Sequence, residues 1–304
     1  MSKTAFIFPG QGAQYVGMGK TFYDEYEVSR RTFEEASDAI HLDMAKLCFE
    51  ENDDINITEY TQAAMVTTSV AMLRVLEEKG IAADMTAGLS LGEYCALVAA
   101  KAMSFADAVK VVRQRGILMQ EAVPVGQGAM SAVLAMDAAV IEEVCESVEG
   151  IVSIANYNCP GQIVITGETD AVAKAGELLK ERGAKRVVPL KVSGPFHSAM
   201  LTSAGQKLGE VLKDVEVMNP VIPYATNVTA ELITSAAPIK DLLTRQVASS
   251  VRWQQDIEVM MANGVTRFVE IGPGKTLAGF NKKINREIET INIETTQDLE
   301  KVLS

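Results

Sequence analysis

Short apolar runs along the chain alternate with stretches in which apolar residues recur every three or four positions. The run TAFIFPG at residues 4–10 predicts a buried strand that leads into a glycine-rich loop, and TRFVEIG at residues 266–272 predicts another strand. Helical patterns dominate from that loop to about residue 122, and a further helix is expected around residues 253–263. Strands that alternate with helices in this way favour an α/β fold around a mostly parallel sheet.

Residues 129–192 have a rhythm of their own. AMSAVLAM predicts a strand, DAAVIEEVCESVEG a helix, IVSIAN and PGQIVITG two strands joined by a turn, ETDAVAKAGELLKERG a helix, and AKRVVPLKV a last strand. Strand–helix–strand–strand–helix–strand is the order of ferredoxin-like domains. We therefore expect a compact insert at residues 129–192 between two parts of a larger body, at residues 1–128 and 193–304.

The stretch FADAVKVVRQRGILMQEA predicts a helix with one charged residue on its apolar face. Ser104 and Asp107 resemble a capping box at its start. With 3.6 residues per turn, the face that contains Arg115 is otherwise formed by Ala108, Val111, Val112, Leu118 and Met119. An arginine in this position is costly unless it is paired or extends its charged end into water. Arg115 therefore either reaches solvent or is a buried receptor for an anion.

Composition and charge narrow the class of protein. With 304 residues, of which 48% are apolar and 22% charged, the chain has the composition of a globular protein with a large core. We find neither an apolar run of about 18 residues nor a signal peptide, and therefore expect a cytoplasmic protein without membrane contact. The net charge of −12 opposes general binding to nucleic acid, whose phosphates carry the same sign.

Cysteines and histidines are too few and too scattered to predict a metal site. The cysteines have no C-x-x-C spacing, which argues against structural zinc and against a disulfide framework. They are Cys48, Cys95, Cys145 and Cys159. We therefore expect no bound metal.

The stretch AGLSLGEYCAL at residues 87–97 places Ser90 between two glycines in the pattern G-x-S-x-G. Residues 81–88 predict a short buried strand before it, and apolar residues at helical spacing follow it. A strand, a sharp glycine-flanked turn and a helix form a nucleophile elbow, which lifts a serine hydroxyl to the tip of the turn near a helix N-terminus. Because glycine and serine are common, a turn without chemistry is the alternative.

A serine nucleophile needs a base, and the chain offers His41 and His197. His41 belongs to DAIHLDMAK, a helical and partly charged stretch that is typical of a surface position. His197 follows Gly194 and Pro195, which end the preceding strand and place the histidine at a junction between a loop and a helix. Functional residues of α/β proteins gather at such junctions, so His197 is the predicted base.

Six motifs follow one another along the chain: IFPGQGAQYVGMG, GLSLGEYCALVAA, RQRGILMQEAVPVGQGAM, NYNCPGQIVITG, PFHSAM and VEIGPGKTL. Together they resemble the malonyl-CoA:acyl carrier protein transacylases, the loading enzymes of bacterial fatty acid synthesis. The resemblance extends from residue 4 to about residue 285. It implies an α/β-hydrolase-like catalytic body at residues 1–128 and 193–304 with a ferredoxin-like insert at residues 129–192, in agreement with the pattern of elements.

The resemblance also implies roles for single residues. It makes Ser90 the nucleophile, His197 its base and Arg115 the receptor of the malonyl carboxylate. Gln246, in TRQVASSVRW, corresponds to the residue whose backbone carbonyl supports the histidine. Phe196, directly before the histidine, is similar to the pattern of malonyl-selective members.

The backbone N–H groups of Gln11 and Leu91 correspond to the oxyanion hole of this family. The chain departs from the family pattern at Leu89, where many members have a histidine directly before the serine. This departure leaves the Ser90–His197 pair in place but removes a polar neighbour of the nucleophile.

The resemblance implies that a malonyl group passes from malonyl-CoA to Ser90, and then to the phosphopantetheine thiol of acyl carrier protein, without any cofactor. We expect the enzyme to be a monomer. Three alternatives remain open: a trans-acting acyltransferase of a polyketide pathway, a serine thioesterase or esterase, and a non-catalytic subunit that binds acyl carrier protein. Two basic clusters are candidate contacts for the carrier protein: Lys185, Arg186 and Lys191, and Lys282, Lys283 and Arg286.

Overall fold

The computed structural model describes residues 2–303. Within this range the strands are β1 (Lys3–Phe8), β2 (Met85–Gly88), β3 (Gly128–Leu134), β4 (Val152–Cys159), β5 (Gln162–Glu168), β6 (Arg186–Pro189), β7 (Tyr224–Ala225), β8 (Leu232–Ile233), β9 (Val265–Ile271) and β10 (Glu289–Ile293). The α-helices are α1 (Lys20–Glu25), α2 (Glu27–Ile40), α3 (Met44–Phe49), α4 (Thr58–Glu78), α5 (Gly92–Ala99), α6 (Phe105–Glu121), α7 (Ala138–Ser147), α8 (Thr169–Glu181), α9 (Thr202–Lys213), α10 (Ile239–Gln246), α11 (Trp253–Ala262), α12 (Thr276–Ile284) and α13 (Thr296–Leu303).

The larger of two sheets has the strand order β10-β9-β1-β2-β7-β8, and its neighbouring strands are parallel except for the pair β7 and β8. The central strand β1 is apolar on both faces. Phe6 and Phe8 belong to one apolar cluster, and Ala5 and Ile7 belong to a second. Burial on both sides explains why the run shows no alternation of apolar and polar residues. The predicted α/β class with a mainly parallel sheet is confirmed.

The register of β1 and β2 positions the candidate site. Phe8 pairs with Gly88 where both strands end. Because parallel neighbours end at the same edge of a sheet, the loop that starts at Pro9 and the turn that contains Ser90 leave the sheet side by side.

The smaller sheet is antiparallel, with the strand order β4-β5-β3-β6. The helices α7 and α8 pack against it around a separate apolar cluster that includes Val133, Ile141, Ile165, Val172 and Leu179. The chain order β3-α7-β4-β5-α8-β6 with this strand order is the ferredoxin-like topology that the sequence pattern predicts. The last strand spans residues 186–189 and is shorter than the predicted 184–192.

The small sheet is joined to the body through the segment that follows α10. Val251 forms a parallel bridge with Asn156 of β4. The N–H of Val251 donates to the carbonyl of Ala155 at 2.8 Å, and the N–H of Tyr157 donates to the carbonyl of Val251 at 2.9 Å. The backbone of the body therefore continues the hydrogen bonding of this edge strand.

The helix α6 begins where the sequence predicts, since the Ser104 hydroxyl accepts a hydrogen bond from the Asp107 N–H at 3.1 Å. It packs closely against α4, and Gly116 makes this approach feasible. A Cβ atom at Gly116 would lie 2.6 Å from the Cα of Glu59. The contact holds Arg115, the residue before Gly116, against the core.

Among residues 2–303, no helix has both the length and the apolar character that a membrane span requires.

Packing requires both glycines of the G-x-S-x-G stretch. A Cβ atom at Gly88 would lie 1.9 Å from the backbone carbon of Gly92, and a Cβ atom at Gly92 would lie 2.4 Å from the carbonyl oxygen of Phe8. Because these neighbours are backbone atoms, they cannot rotate away as a side chain could. The turn therefore has no room for a larger residue at either position.

Replacement of Gly92 should destabilise the fold. We expect Gly92→Ala to lower the free energy of unfolding by about 1–3 kcal/mol, as overpacking of a rigid site does. Gly279→Ala is the matched control, because Gly279 also lies in a helix and an added Cβ there meets nothing within 4 Å. The control should gain roughly 0.5–1 kcal/mol. Urea unfolding of both variants checks this, and a Gly92→Ala protein as stable as the wild type would contradict it.

Candidate active site

Ser90 lies in the turn between β2 and α5 with a φ of +56°. The left-handed region is unfavourable for a residue with a side chain, so neighbouring groups must hold the serine there. Asn227 supplies that support. Its Oδ1 accepts from the Ser90 N–H at 2.7 Å, and its Nδ2 donates to the carbonyl of Gly88 at 2.8 Å. Asn227 thus stabilises the predicted elbow through two hydrogen bonds, one to Ser90 and one to the end of β2.

His197 lies against the serine. Its Nε2 is 2.7 Å from the Ser90 Oγ, and its Nδ1 is 2.9 Å from the carbonyl oxygen of Gln246 and 3.1 Å from that of Ser249. Because carbonyl oxygens only accept, Nδ1 carries the proton and Nε2 is left to accept from the serine hydroxyl. Like Ser90, the histidine has a left-handed backbone, with a φ of +59°.

Arg115 points inward from α6 and is 1% exposed. Its Nη1 donates to Gln62 Oε1 at 2.8 Å, and its Nη2 donates to Ser90 Oγ at 3.0 Å and to Gln246 Oε1 at 3.1 Å. The interpretation in which this arginine reaches solvent is therefore wrong. A fork of N–H donors beside the serine hydroxyl can receive an anionic group on whatever the serine binds.

Three buried polar residues behind the serine were missed in the sequence: Glu93, Asn227 and Asp256. The Oε2 of Glu93 accepts from Gln246 Nε2 at 2.6 Å, and the Oδ2 of Asp256 accepts from Asn227 Nδ2 at 2.9 Å. Burial raises the pKa of Glu93 to about 7 and raises the pKa of Asp256 well above its ordinary value. Glu93 could have been noticed, because it is the charged residue in the otherwise apolar helix GEYCALVA.

The serine and histidine open into a cavity of about 610 Å³ between the two sheets. Two amide side chains of β4, Asn156 and Asn158, contribute to its wall. Its apolar lining includes Met119, Met130, Val164, Phe196 and Phe280. Phe196 is thus placed where it can contact a bound acyl group.

Of the two predicted oxyanion-hole residues, one follows the serine directly and the other lies in the neighbouring loop. Gln11 belongs to the loop after β1 and lines the cavity, and Leu91 is the residue directly before α5. Within residues 2–303, neither backbone N–H donates a hydrogen bond. Both N–H groups are therefore available to an acceptor, and their role in stabilising an oxyanion stays a prediction.

Leu89 occupies the position at which many members of the family that the sequence resembles have a histidine. Its side chain packs against the loop after β1, since a Cβ atom at Gly10 would lie 2.5 Å from Leu89 Cδ2. The contact is apolar and adds no hydrogen bond to the serine. His41 is exposed at the end of α2 and is not among the residues that line the cavity. In the part of the chain that is described, no group of three or more His, Cys, Asp or Glu could hold a metal ion.

The electrostatic surroundings keep His197 in its neutral form. Burial, and in second place the positive charge of Arg115, lower the pKa of His197 to about 4. The carbonyl groups of Gln246 and Ser249 act in the opposite direction, because they stabilise the protonated ring, but they do not prevail. At neutral pH the ring is therefore ready to accept the serine proton.

A serine at a nucleophile elbow, hydrogen-bonded to a buried neutral histidine, is the arrangement of enzymes that form an acyl-serine ester. Residues 5–296 match the family model described as acyl transferase domain. A malonyl CoA-acyl carrier protein transacylase of Bacillus subtilis is 48% identical over 304 residues, covering 99% of this chain and 96% of the relative. The chain therefore belongs to the malonyl CoA-acyl carrier protein transacylase family, and it is an acyltransferase.

Solved structures of transacylases are similar to this chain over nearly its whole length. The crystal structure of MCAT from Streptococcus pneumoniae is 49% identical, with a TM-score of 0.96 and 99% of both chains covered. A malonyl-transacylase in complex with a type II PKS acyl-carrier protein is 41% identical, with a TM-score of 0.97 and 99% of both chains covered. The family resemblance drawn from the six sequence motifs is thereby confirmed.

The acylation rate should be insensitive to pH in the range where an ordinary histidine titrates. With a pKa of about 4, His197 is almost fully neutral at pH 5.5, whereas with a pKa of 6.5 only roughly a tenth would be neutral. We expect kcat/KM for acylation of Ser90 by acetyl-CoA, which has no carboxylate, to change less than about twofold between pH 7.5 and 5.5. Arg115→Ala lacks the nearby positive charge, so the pKa of His197 should be higher in this variant. As the pH is lowered, its kcat/KM should therefore begin to decrease at a higher pH than that of the wild type. A wild-type loss of roughly tenfold at pH 5.5 would contradict the lowered pKa.

Proposed function

We propose that the protein transfers a malonyl group from malonyl-CoA to the phosphopantetheine thiol of acyl carrier protein, through a malonyl-Ser90 ester, for fatty acid biosynthesis. The observation that carries the proposal is Arg115, whose buried guanidinium lies 3.0 Å from the nucleophilic oxygen. Names of the relatives, and the carrier-protein complex of a similar transacylase, support the same substrates.

Acylation uses the hydrogen bond between serine and histidine. Ser90 Oγ attacks the thioester carbonyl of malonyl-CoA, and its proton passes to Nε2 of His197, 2.7 Å away. The N–H groups of Gln11 and Leu91 are proposed to stabilise the tetrahedral oxyanion. When the C–S bond breaks, the CoA sulfur takes the proton from the histidine, and the malonyl ester of Ser90 remains.

Transfer reverses these proton movements. The thiol of the carrier protein loses its proton to His197 Nε2 and attacks the ester carbonyl. The C–O bond to Ser90 breaks, and the serine oxygen recovers the proton from the histidine. The carbonyl groups of Gln246 and Ser249 keep the ring in the same tautomer through both half-reactions.

The buried arginine explains the choice of a carboxylated acyl group. A guanidinium fork matches a carboxylate in two hydrogen bonds, and such a pair is strong where the guanidinium is buried, as it is in Arg115. A lipid esterase would have no use for a charge at this position, so Arg115 argues against the hydrolase alternative. The intact Ser90–His197 contact argues against a non-catalytic binding subunit.

A polyketide carrier protein is the second candidate acceptor, and a specific observation favours it. The malonyl-transacylase solved with a type II PKS acyl-carrier protein is 41% identical to this chain. Assays with purified fatty-acid and polyketide carrier proteins, run with the same malonyl-loaded enzyme, decide between the two. We expect the fatty-acid carrier protein to give the higher kcat/KM.

The basic cluster on the insert is the better candidate for contact with an acidic carrier protein. Lys185, Arg186 and Lys191 are exposed, and Lys191 also lines the cavity, so this cluster adjoins the route to the serine. The second cluster, near the C-terminus, is also exposed, but none of its residues lines the cavity. One chain carries every group of the site, so the proposed reaction needs no second copy, and we propose a monomer as the working form. We propose the cytoplasm, where CoA thioesters are made, as its location.

Removal of either member of the dyad should abolish or greatly slow acylation. We expect no malonyl ester on Ser90→Ala, and acylation slowed by roughly 10⁴-fold or more in His197→Ala, as for comparable nucleophile–base pairs. His41→Ala, a variant at the other histidine of the chain, is the matched control and should be acylated normally. Mass spectrometry of the intact protein after mixing with malonyl-CoA measures the ester. Normal loading of His197→Ala would refute the assignment of the base.

Loss of the arginine should affect malonyl and acetyl groups differently. Removal of one partner of a buried charge pair costs about 2–5 kcal/mol, so Arg115→Ala should lower kcat/KM for malonyl-CoA by roughly 30- to 5,000-fold. Acetyl-CoA has no carboxylate, and its transfer should hold steady or rise.

Arg113→Ala on the same helix is the control for general destabilisation. Arg113 is partly buried beside α2 and α4, where its Nη1 donates to the carbonyl of Ile40 at 2.7 Å and its Nε lies 3.7 Å from Glu59 Oε2. The Arg113→Ala substitution should lower the melting temperature and leave the ratio of malonyl to acetyl transfer unchanged. A parallel fall of both substrates in Arg115→Ala would show that the arginine only packs the helix.

A further inference from the structure

Gln246 connects the three parts of the active site. It is the last residue of α10 and is fully buried. Its backbone carbonyl accepts from His197 Nδ1 at 2.9 Å, its side-chain Oε1 accepts from Arg115 Nη2 at 3.1 Å, and its Nε2 donates to the backbone carbonyl of Ser90 at 3.0 Å. Any change in the orientation of its amide therefore reaches the arginine directly.

The chemistry of its neighbours dictates how the amide of Gln246 is oriented. Arginine can only donate hydrogen bonds, so the atom that faces Arg115 must be the amide oxygen. The Asn227 N–H donates to Glu93 Oε2, so this oxygen is an acceptor in the ionised carboxyl and also when a proton is on Oε1. The atom that faces it at 2.6 Å must therefore be the amide nitrogen. A reversed amide would place its NH2 group against the guanidinium and its oxygen against the carboxylate. Arg115, Glu93 and the carbonyl of Ser90 thus all favour the same orientation, and the contact with Glu93 is the shortest of the three.

Glu93 itself takes no direct part in the proposed chemistry. It lies in the first turn of α5, three residues after Ser90, and is fully buried. Its Oε2 accepts from Gln246 Nε2 and from the Asn227 N–H at 3.2 Å, whereas its Oε1 has no hydrogen-bond partner in the described part of the chain. A buried carboxyl is costly to keep, and its strongest contact is with the amide that holds the arginine.

We propose that Glu93 is a positioning residue that fixes the amide of Gln246, so that Arg115 is held where it can bind the carboxylate of the acyl group. The proposal rests on malonyl transfer as the function of the site. It makes Glu93 a determinant of acyl selectivity, because an acetyl group needs no aligned arginine. The backbone carbonyl of Gln246 orients the histidine, and Glu93 does not touch it. The elbow is held by the side chain of Asn227, and only the backbone N–H of Asn227 contacts Glu93.

Two substitutions separate the hydrogen bond from the bulk of the side chain. Glu93→Met keeps the length of the side chain but removes the acceptor. Glu93→Gln keeps an acceptor, because its amide oxygen can take the place of Oε2 and its NH2 that of the unpartnered Oε1. Glu270→Met is the matched control, because Glu270 is equally buried and accepts from the N–H groups of Leu277 and Ala278, outside this network.

The measured quantity is kcat/KM for acylation of Ser90 by malonyl-CoA and by acetyl-CoA, alongside the melting temperature of each variant. In Glu93→Met we expect the malonyl-to-acetyl ratio to fall by roughly 10- to 100-fold, the effect of a lost buried hydrogen bond. Glu93→Gln should stay within about threefold of the wild-type ratio, since it keeps an acceptor for the amide. Glu270→Met should lower the melting temperature and keep the wild-type ratio.

A double variant tests whether Glu93 acts through Gln246. Gln246→Met alone should lower the malonyl-to-acetyl ratio, and Glu93→Met added to it should lower the ratio no further, because both changes break the same link. A further fall in the double variant would overturn the proposal. So would equal losses of both substrates in a folded Glu93→Met, or a Glu93→Gln as impaired as Glu93→Met.

Failure of Glu93→Met to fold and failure of the proposed function give different results. Should Glu93→Met fail to fold, Gln246→Met and Glu93→Gln carry the test: an unchanged ratio in the first, or a collapsed ratio in a folded second, overturns the role of Glu93. Should the wild-type protein form no malonyl ester with malonyl-CoA, the proposed function fails instead. The wild-type measurement therefore comes first.

Discussion

The active site is organised around one buried positive charge. A guanidinium removed from water is costly unless oxygen atoms surround it, and Arg115 obtains these from Gln62, Ser90 and Gln246. The carboxyl of Glu93 lies one amide further away. The same charge helps to lower the pKa of His197 and so keeps the base neutral. A single residue thus influences both the choice of acyl group and the readiness of the dyad.

The fold meets this need by bringing distant segments to one edge of the parallel sheet. The ends of β1 and β2 lie side by side, so the loop after Phe8 and the elbow at Ser90 share an origin. Glycine at positions 88 and 92 allows the backbones to meet at a distance that no side chain would permit. The helix α6 then brings its arginine to the elbow across a close contact with α4. Backbone packing therefore determines where the chemistry takes place.

Elements and residues that are marked by a pattern of neighbouring residues could be predicted from the sequence. The elbow around Ser90, the loop before His197, the apolar face around Arg115 and the order of elements in the insert all belong to this group. Asn227 and its partners could not be found in this way, because Asn227 bonds to a serine 137 residues away and a single asparagine predicts nothing. The two-residue strands β7 and β8 are likewise too short to show a period, and tertiary pairing alone defines them.

The bridge at Val251 has a mechanical consequence. The carbonyl of Ser249, which orients the imidazole of His197, lies two residues before the point where the body is joined to β4. A hinge motion of the insert at this joint would displace the backbone that holds His197 within hydrogen-bond distance of Ser90. On this side the position of the insert and the orientation of the base are therefore coupled through one short backbone segment.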